Sequence, residues 1–192
     1  MAQWFKIERI PGVLASAYAK ATRMAIESYY RQVAEKIAAH LESGTILDLG
    51  TGPGDLPIEI AKKSPEIQIV GIDLSRKLIH MARSNASTAG LTDRLNFQLG
   101  NAAALDFEDS FFDMVISTGM LHSIKEPAKV LQEIYRVLKT GREAWIFDPA
   151  KVTSAVDRKK WKASLNLRDF NCGCYKYYVL ISRLKSIREN RR

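Results

Sequence analysis

From residue 45 onward, short apolar runs alternate with stretches whose apolar positions recur every three or four residues. The short runs predict strands and the longer stretches predict helices. We expect strands at about 45 to 49, 67 to 72, 94 to 99, 112 to 117 and 143 to 148, and helices at about 55 to 63, 75 to 88 and 126 to 138. Strands that alternate with helices form a parallel sheet covered on both faces, whose ligand site lies at the carboxyl ends of the strands, beside the first one.

The two ends of the chain extend this pattern. Residues 13 to 40 carry apolar positions at helical spacing and predict one or two helices ahead of the first strand. Beyond the fifth strand, residues 165 to 170 and 175 to 184 predict two further strands, with a hairpin turn at 171 to 174. Gly141 is expected to cap the helix before the fifth strand. The predicted fold class is α/β: a Rossmann-like, doubly wound sheet of about seven strands, mostly parallel with the last strand antiparallel, and helices on both faces.

The loop after the first strand carries the clearest chemistry. From Thr45 to Asp55 the chain reads T-I-L-D-L-G-T-G-P-G-D. Dinucleotide-binding loops read G-x-G-x-x-G and keep the helix N-terminus open for a pyrophosphate, whereas here Pro53 separates the last two of three alternate glycines. Asp48, two residues before the first glycine, would repel phosphates and attract an ammonium group. The loop therefore favours a zwitterionic or cationic ligand over a nicotinamide dinucleotide.

This loop resembles the first motif of class I methyltransferases that use S-adenosylmethionine. Their pattern, [D/E]-x-G-x-G-x-G, is matched by Asp48, Gly50, Gly52 and Gly54. The resemblance extends to the segment from Phe111 to Gly141 and is strongest with the small-molecule, type 11-like branch, which often carries an L-H-x-[I/L] sequence such as Leu121, His122 and Ile124. The [D/N]-P-P-[Y/F] motif of many amino-group methyltransferases is replaced by S-T-G-M at 117 to 120, which disfavours that branch. The resemblance implies S-adenosylmethionine as cofactor, S-adenosylhomocysteine as product, and methyl transfer to a small acceptor by in-line displacement.

The expected cofactor contacts follow the carboxyl ends of the strands. Asp73 ends the second strand, where its two carboxylate oxygens can accept hydrogen bonds from both ribose hydroxyls; its structural alternative is a helix N-cap, for which Ser75 is at least as suitable. Leu74 would pack on the adenine. Asn101 stands where the family usually has an acid, and its amide can still bind adenine. The full predicted set of cofactor-binding residues is Asp48, Gly50, Thr51, Gly52, Gly54, Asp73, Leu74, Asn101, Ala102, Ser117 and Thr118.

No catalytic residue is obligatory, because a sulfonium is already an activated methyl donor and the protein need only align the acceptor and exclude water. A base would help if the acceptor loses a proton. The candidates are Tyr18, Tyr29, His122 and Asp148, each with helix packing, capping or strand closure as its structural alternative. Related enzymes place a helical lid ahead of the first strand, so we expect an N-terminal arm or lid at 1 to 43 and the cofactor-binding methyltransferase domain at 44 to 192.

Charge and composition add one open question. The net charge is +8, and residues 151 to 192 hold 12 of the 29 Lys and Arg but 3 of the 21 Asp and Glu. A solvated surface accounts for this, but so would a nucleic acid partner. The alternatives are therefore a non-catalytic module with the methyltransferase fold or an RNA methyltransferase that uses the basic C-terminal region. The two cysteines, Cys172 and Cys174, suit neither a disulfide framework nor a metal site, and no targeting segment or membrane span is recognisable, so we expect a cytoplasmic protein without metal.

Overall fold

One mixed sheet with helices against its faces forms the described part of the chain. The computed structural model describes the backbone of residues 12–149, 171–175 and 178–182, and the side chains of residues 24 and 26–147 except residue 122. The strands are β1 (Gly44–Leu49), β2 (Ile67–Asp73), β3 (Leu95–Leu99), β4 (Phe112–Thr118), β5 (Leu138–Pro149), β6 (Asn171–Tyr175) and β7 (Tyr178–Ser182). The helices are α1 (Gly12–His40), α2 (Asp55–Lys63), α3 (Arg76–Thr88) and α4 (Pro127–Val137), with a 3-10 turn at Leu121–Ser123.

Strands β1 to β5 are parallel, which confirms the α/β class and the Rossmann-like arrangement. The strand order is β3-β2-β1-β4-β5-β7-β6, so β1 lies between β2 and β4. After β1 the chain forms β2 and β3 on one side of that strand, and it then forms β4 and β5 on the other side. Such a reversal opens a crevice at the carboxyl ends of the strands, and the glycine loop after β1 lies in it. β7 is antiparallel to β5 and to β6.

The apolar runs are continuous because both faces of the sheet are buried. Ile46 belongs to a core cluster that also contains residues of α1, α2 and α3, whereas Leu47 and Leu49 belong to a second cluster on the α4 side. All three are fully buried. A strand buried on both faces loses the alternation of apolar and polar positions, as parallel strands generally do. Asp48 is the polar exception within β1.

The predicted start of β5 was wrong. The helix ends at Val137 and Leu138 is already extended, so β5 starts five residues earlier than the pattern suggests. Gly141 does have a positive φ of 78°, but it lies within β5 and does not cap α4. Leu138 pairs with Phe112 and Glu143 pairs with Met114, so β5 has extra residues between these two pairs. The glycine allows the chain to bulge there.

The predicted hairpin turn at 171 to 174 was also wrong, because those residues form β6. Gly173 pairs with Leu180 inside the ladder, and Tyr175 pairs with Tyr178, so the chain reverses direction after Tyr175. A glycine can sit within a strand as well as in a turn, and composition alone does not separate the two. The strand expected at 165 to 170 lies outside the described residues. Among the described residues, no helix has both the length and the hydropathy needed to span a membrane.

Candidate functional site

The three glycines after β1 have different surroundings, although all three have positive φ: 71° at Gly50, 56° at Gly52 and 83° at Gly54. A Cβ on Gly50 would lie 3.0 Å from the side chain of Met120. A Cβ on Gly54 would lie 2.9 Å from the ring of Phe97. A Cβ on Gly52 would meet nothing within 4 Å. The outer glycines are therefore required by internal packing, and the middle one borders open space that a ligand can approach.

Asp73 holds the glycine loop in place. Its Oδ2 accepts a hydrogen bond from the Gly52 amide at 3.1 Å, and its Oδ1 accepts one from the Ser75 amide at 2.8 Å. Ser75, not Asp73, is the N-cap of α3, with its hydroxyl accepting from the Leu78 amide at 3.3 Å. Each carboxylate oxygen of Asp73 keeps further acceptor capacity. The predicted ribose contact is compatible with this arrangement and stays a prediction.

Asp48 is the most unusual side chain of the loop. It is 1% exposed, and its Oδ1 is buried without a hydrogen-bond partner; the buried hydroxyl of Thr51 also has none. Burial raises the pKa of Asp48 from 3.8 to about 7. The negative charge of Asp73 also raises this pKa, and the nearby Thr51 hydroxyl lowers it, although no hydrogen bond of regular geometry joins Thr51 to the carboxyl.

Unpartnered buried polar atoms are costly, which makes this cluster an expected place for a polar ligand group or an ordered water. A cationic group beside Asp48 would restore the charged carboxylate and give its oxygen a donor. Together with the open face of Gly52, these residues fit the amino-acid end of S-adenosylmethionine.

Apolar side chains flank the next part of the crevice. Leu74, directly after β2, is 72% exposed, and Leu99, at the end of β3, is 45% exposed. Leu99 pairs with Asp73 in the sheet and was missed by the sequence analysis, although its position as the last residue of a strand beside Asp73 could have indicated it. Ala102 is buried, and the exposed Asn101 accepts the Ala103 amide on its Oδ1 at 2.9 Å. The amide nitrogen of Asn101 is thus the group oriented to act as a donor.

The end of β4 approaches the glycine loop from the other side. The buried hydroxyl of Ser117 donates to the carbonyl of Leu49 at 3.1 Å and so ties β4 to β1. Thr118 is half-buried, and the amide of Gly119 donates to the carbonyl of Phe147 at 2.8 Å. Since the Ser117 side chain is engaged, a ligand contact at this residue would involve its backbone.

The structure describes one of the four candidate catalytic side chains. Tyr29 packs against the core cluster beneath α1, and its ring centroid lies 5.6 Å from that of Tyr30. Tyr18 lies in α1, His122 in the 3-10 turn and Asp148 in β5, but their side chains are outside the described residues. All four catalytic assignments stay predictions. Two residues of α4 that contact the segment after β3, Glu133 and Arg136, were not among the predicted residues.

Comparisons with known proteins agree with this geometry. Residues 40–190 match the profile of a methyltransferase domain family. The chain is 30% identical over 147 residues to a ubiquinone/menaquinone biosynthesis C-methyltransferase UbiE of Geotalea uraniireducens, covering 74% of this chain and 63% of that protein. It is 31% identical over 150 residues to a demethylmenaquinone methyltransferase of Symbiobacterium thermophilum, covering 75% of this chain and 59% of that protein. The chain thus spans about three fifths of the length of these curated relatives.

A similar fold is found in a solved structure of a protein from Methanococcus maripaludis. That protein is described as a candidate S-adenosyl-L-methionine-dependent methyltransferase. The TM-score is 0.80, with 23% identity, 91% of this chain covered and 93% of that chain covered. At this identity the likeness establishes the fold. The family match covers most of the chain and includes the glycine loop, Asp73 and the end of β4. The chain belongs to the methyltransferase domain family.

Proposed function

We propose that the chain is an S-adenosylmethionine-dependent methyltransferase that acts on a small-molecule acceptor and releases S-adenosylhomocysteine. The observation that carries this proposal is the buried carboxyl of Asp48, which has a pKa of about 7 and an unpartnered oxygen beside the open face of Gly52. A dinucleotide would bring phosphates to this carboxyl, whereas the methionine part of S-adenosylmethionine would bring an ammonium group. Family membership and the loop spacing support the same choice.

In this proposal, different residues of the crevice bind different parts of the cofactor. Asp48 and the backbone of the glycine loop hold the amino-acid end, and the two oxygens of Asp73 accept from the ribose. Leu74, Leu99 and Ala102 enclose the adenine, while the amide nitrogen of Asn101 donates to it. The bound sulfonium supplies an activated methyl group. The protein then contributes alignment of the acceptor with the S-methyl bond and exclusion of water.

We further propose an apolar, planar acceptor of the quinol type. The two curated relatives named above support this class, since their names refer to ubiquinone, menaquinone and demethylmenaquinone. Methylation of a ring carbon would release a proton, and the four candidate bases remain the groups to test for its removal.

The N-terminal arm is proposed to close over this crevice. Only three residues separate α1 from β1, so α1 runs antiparallel to β1 and its first residues point toward the carboxyl edge of the sheet. His40 contacts Glu143, which pairs with Met114 near the start of β4, at 3.1 Å. With a rise of about 1.5 Å per residue, Tyr30 lies about 15 Å further along the helix axis. Residues 12 to 28 then extend toward the region above the cofactor site.

Limited proteolysis tests the lid. Cleavage between residues 12 and 28 should slow when S-adenosylhomocysteine is added, because a closed arm is a poorer protease substrate. Equal cleavage rates with and without the ligand, under conditions where binding is saturated, would contradict a closing arm.

We also propose that the methyltransferase domain has a sheet of seven strands with the last strand antiparallel. Its support is the antiparallel pairing of β7 with the end of β5, from Phe147 with Leu180 to Pro149 with Tyr178. Covering this edge would keep the end of β5 in place. Truncation after residue 149 should therefore lower stability more than it lowers the affinity for S-adenosylhomocysteine.

The direct test of the function is a turnover assay. The purified chain is incubated with S-adenosylmethionine and a short-chain demethylated naphthoquinol, and S-adenosylhomocysteine formation is measured. Formation that depends on the quinol supports the proposal. Binding of the cofactor with no turnover on any acceptor would favour a non-catalytic module, and turnover only with RNA would favour the nucleic acid alternative.

A further inference from the structure

Arg136 and Glu133, on one face of α4, bind the segment that connects β3 to β4. Arg136 Nη1 donates to the carbonyl of Phe107 at 2.7 Å and to Asp109 Oδ1 at 3.0 Å. Its Nη2 donates to the carbonyl of Leu105 at 2.8 Å. Glu133 Oε2 accepts the Leu105 amide at 2.7 Å. Both backbone polar groups of Leu105 are therefore bound by this pair of side chains.

The two side chains also bind each other in a two-point geometry. Arg136 Nε donates to Glu133 Oε1, and Nη2 donates to Oε2, each at 2.9 Å. The contact with Arg136 lowers the pKa of Glu133, so the pair is charged across the neutral range. A guanidinium can contact a carboxylate and two carbonyls in one plane, and the single ammonium of a lysine cannot. We call this pair, Glu133 and Arg136, the α4 clamp.

The segment held by the α4 clamp begins with the residues that face the proposed adenine pocket. In that turn the Ala104 amide donates to the carbonyl of Asn101 at 3.0 Å. Ala102 and Leu105 are buried in the same core cluster as the apolar face of α4. Further along, the Ser110 amide donates to the carbonyl of Arg136 at 2.8 Å. The connection from β3 to β4 is thus fastened to α4 just after the Asn101 to Ala104 turn.

We infer that the α4 clamp is a positioning device for the adenine pocket: it fixes Leu105 and thereby holds the Asn101 to Ala104 turn at the carboxyl edge of the sheet. The clamp residues do not themselves touch the cofactor in this proposal. The inference rests on the proposed function for the ligand, but the positioning itself is a property of the free chain. It therefore has a measurement that needs no ligand.

The test compares Arg136→Lys with Lys129→Met, a control on the same helix. Lys129 pairs only with the exposed Glu126, at 2.9 Å, and does not reach the connecting segment in the described contacts. Two ligands are titrated calorimetrically: S-adenosylhomocysteine, and 5′-methylthioadenosine, which lacks the amino-acid end. Amide hydrogen exchange at residues 102 to 105 is measured in the free chain.

The Arg136→Lys substitution should weaken both ligands by the same factor, about tenfold, which corresponds to about 1.4 kcal/mol. It should also speed amide exchange at residues 102 to 105. Lys129→Met should change neither quantity. An Asp48→Asn variant provides the contrast, because it alters the amino-acid end of the site and should weaken S-adenosylhomocysteine more than methylthioadenosine.

A folded Arg136→Lys variant with wild-type affinity for both ligands would overturn the inference. If Arg136→Lys does not fold, Glu133→Gln keeps the size of the side chain but leaves one oxygen where Glu133 uses two, one for Arg136 Nε and one for the Leu105 amide and Arg136 Nη2. Unchanged amide exchange at residues 102 to 105 in that variant would overturn the inference. If the wild-type chain binds neither ligand, the proposed cofactor fails, and the exchange comparison alone then decides whether the clamp positions the turn.

Discussion

Substituting alanine for the second or the third glycine of the loop should separate ligand binding from folding. Gly52 and Gly54 both have positive φ, so each substitution brings the backbone cost of a left-handed alanine, roughly 1 to 2 kcal/mol. At Gly52 the new methyl group meets no protein atom within 4 Å. At Gly54 it would lie 2.9 Å from Phe97 and 3.1 Å from Ala82. Overpacking of that kind adds roughly 1 to 3 kcal/mol.

The expected free energies of unfolding follow from these contacts. Gly52→Ala should lower the free energy of unfolding by roughly 1 to 2 kcal/mol and Gly54→Ala by roughly 2 to 5 kcal/mol. Domains of this kind have roughly 5 to 15 kcal/mol of stability, so the Gly52 variant should stay folded. Its methyl group would occupy the space assigned to the cofactor. A crowding cost of roughly 1 to 3 kcal/mol corresponds to a loss of affinity of about fivefold to 150-fold.

The assay combines urea unfolding with calorimetric titration of S-adenosylhomocysteine for the wild-type chain and both variants. Gly52→Ala should be the more stable variant and should still bind weakly. Wild-type affinity in Gly52→Ala would show that the open face of this glycine does not border the ligand. Equal stability of the two variants would show that the packing of Phe97 against Gly54 is not tight.

Three further predictions concern single buried groups. The raised pKa of Asp48 means that the folded state favours its neutral form. The contribution of this group to the free energy of unfolding is therefore fully present below pH 3.8, its ordinary pKa, and is lost as pH rises to about 7. The free energy of unfolding of the wild-type chain, relative to Asp48→Asn, should fall by up to about 4 kcal/mol over this range in urea titrations, and a pH-independent difference would contradict the shift. For Asp113, burial acts to raise the pKa, but Lys139, the Thr45 amide and Arg142 outweigh it and lower the pKa, so its contribution is present above 3.8 and is lost as pH falls below it. Asp113→Asn should therefore cost roughly 1 to 3 kcal/mol at pH 7, with the difference shrinking in acid; a constant difference would argue against the ion pairs. Ser117→Ala removes the hydrogen bond to Leu49 and should lower stability by about 1 kcal/mol while leaving the affinity for S-adenosylhomocysteine unchanged, so a large loss of affinity would place its hydroxyl at the ligand.

Local features of this fold could be predicted from the sequence. The strands up to β4 have apolar runs buried on both faces, and the motif from Asp48 to Gly54 has a spacing that favours one class of ligand. Ser75 could be recognised as a suitable cap for α3 from its residue type and position, and the other candidate, Asp73, lies only two residues before it. Each of these inferences depends on residues close together in the chain.

Other features depend on residues far apart in the chain. The role of Gly50 requires Met120, and the role of Gly54 requires Phe97, and no local pattern connects these pairs. The hydrogen bond from Arg136 to the carbonyl of Leu105 spans 31 residues. The early start of β5 likewise depends on pairing with β4, since Leu138 becomes extended opposite Phe112. Tertiary contacts decide these positions over local propensity.

A substitution at Asp73 tests the identity of the ligand. The Asp73 carboxylate is compatible with a ribose contact and also holds the Gly52 amide, so Asp73→Asn should weaken nucleoside binding without removing the side chain. Asp93→Asn, an exposed position outside the crevice, is the matched control.

Calorimetric titration of S-adenosylhomocysteine and of NAD into the wild-type chain and these two variants is the measurement. We expect micromolar binding of S-adenosylhomocysteine by the wild-type chain and by Asp93→Asn, and no binding of NAD. Binding by Asp73→Asn should be at least tenfold weaker, which corresponds to about 1.4 kcal/mol. Binding of NAD in place of S-adenosylhomocysteine, or equal affinity in Asp73→Asn, would contradict the proposed cofactor.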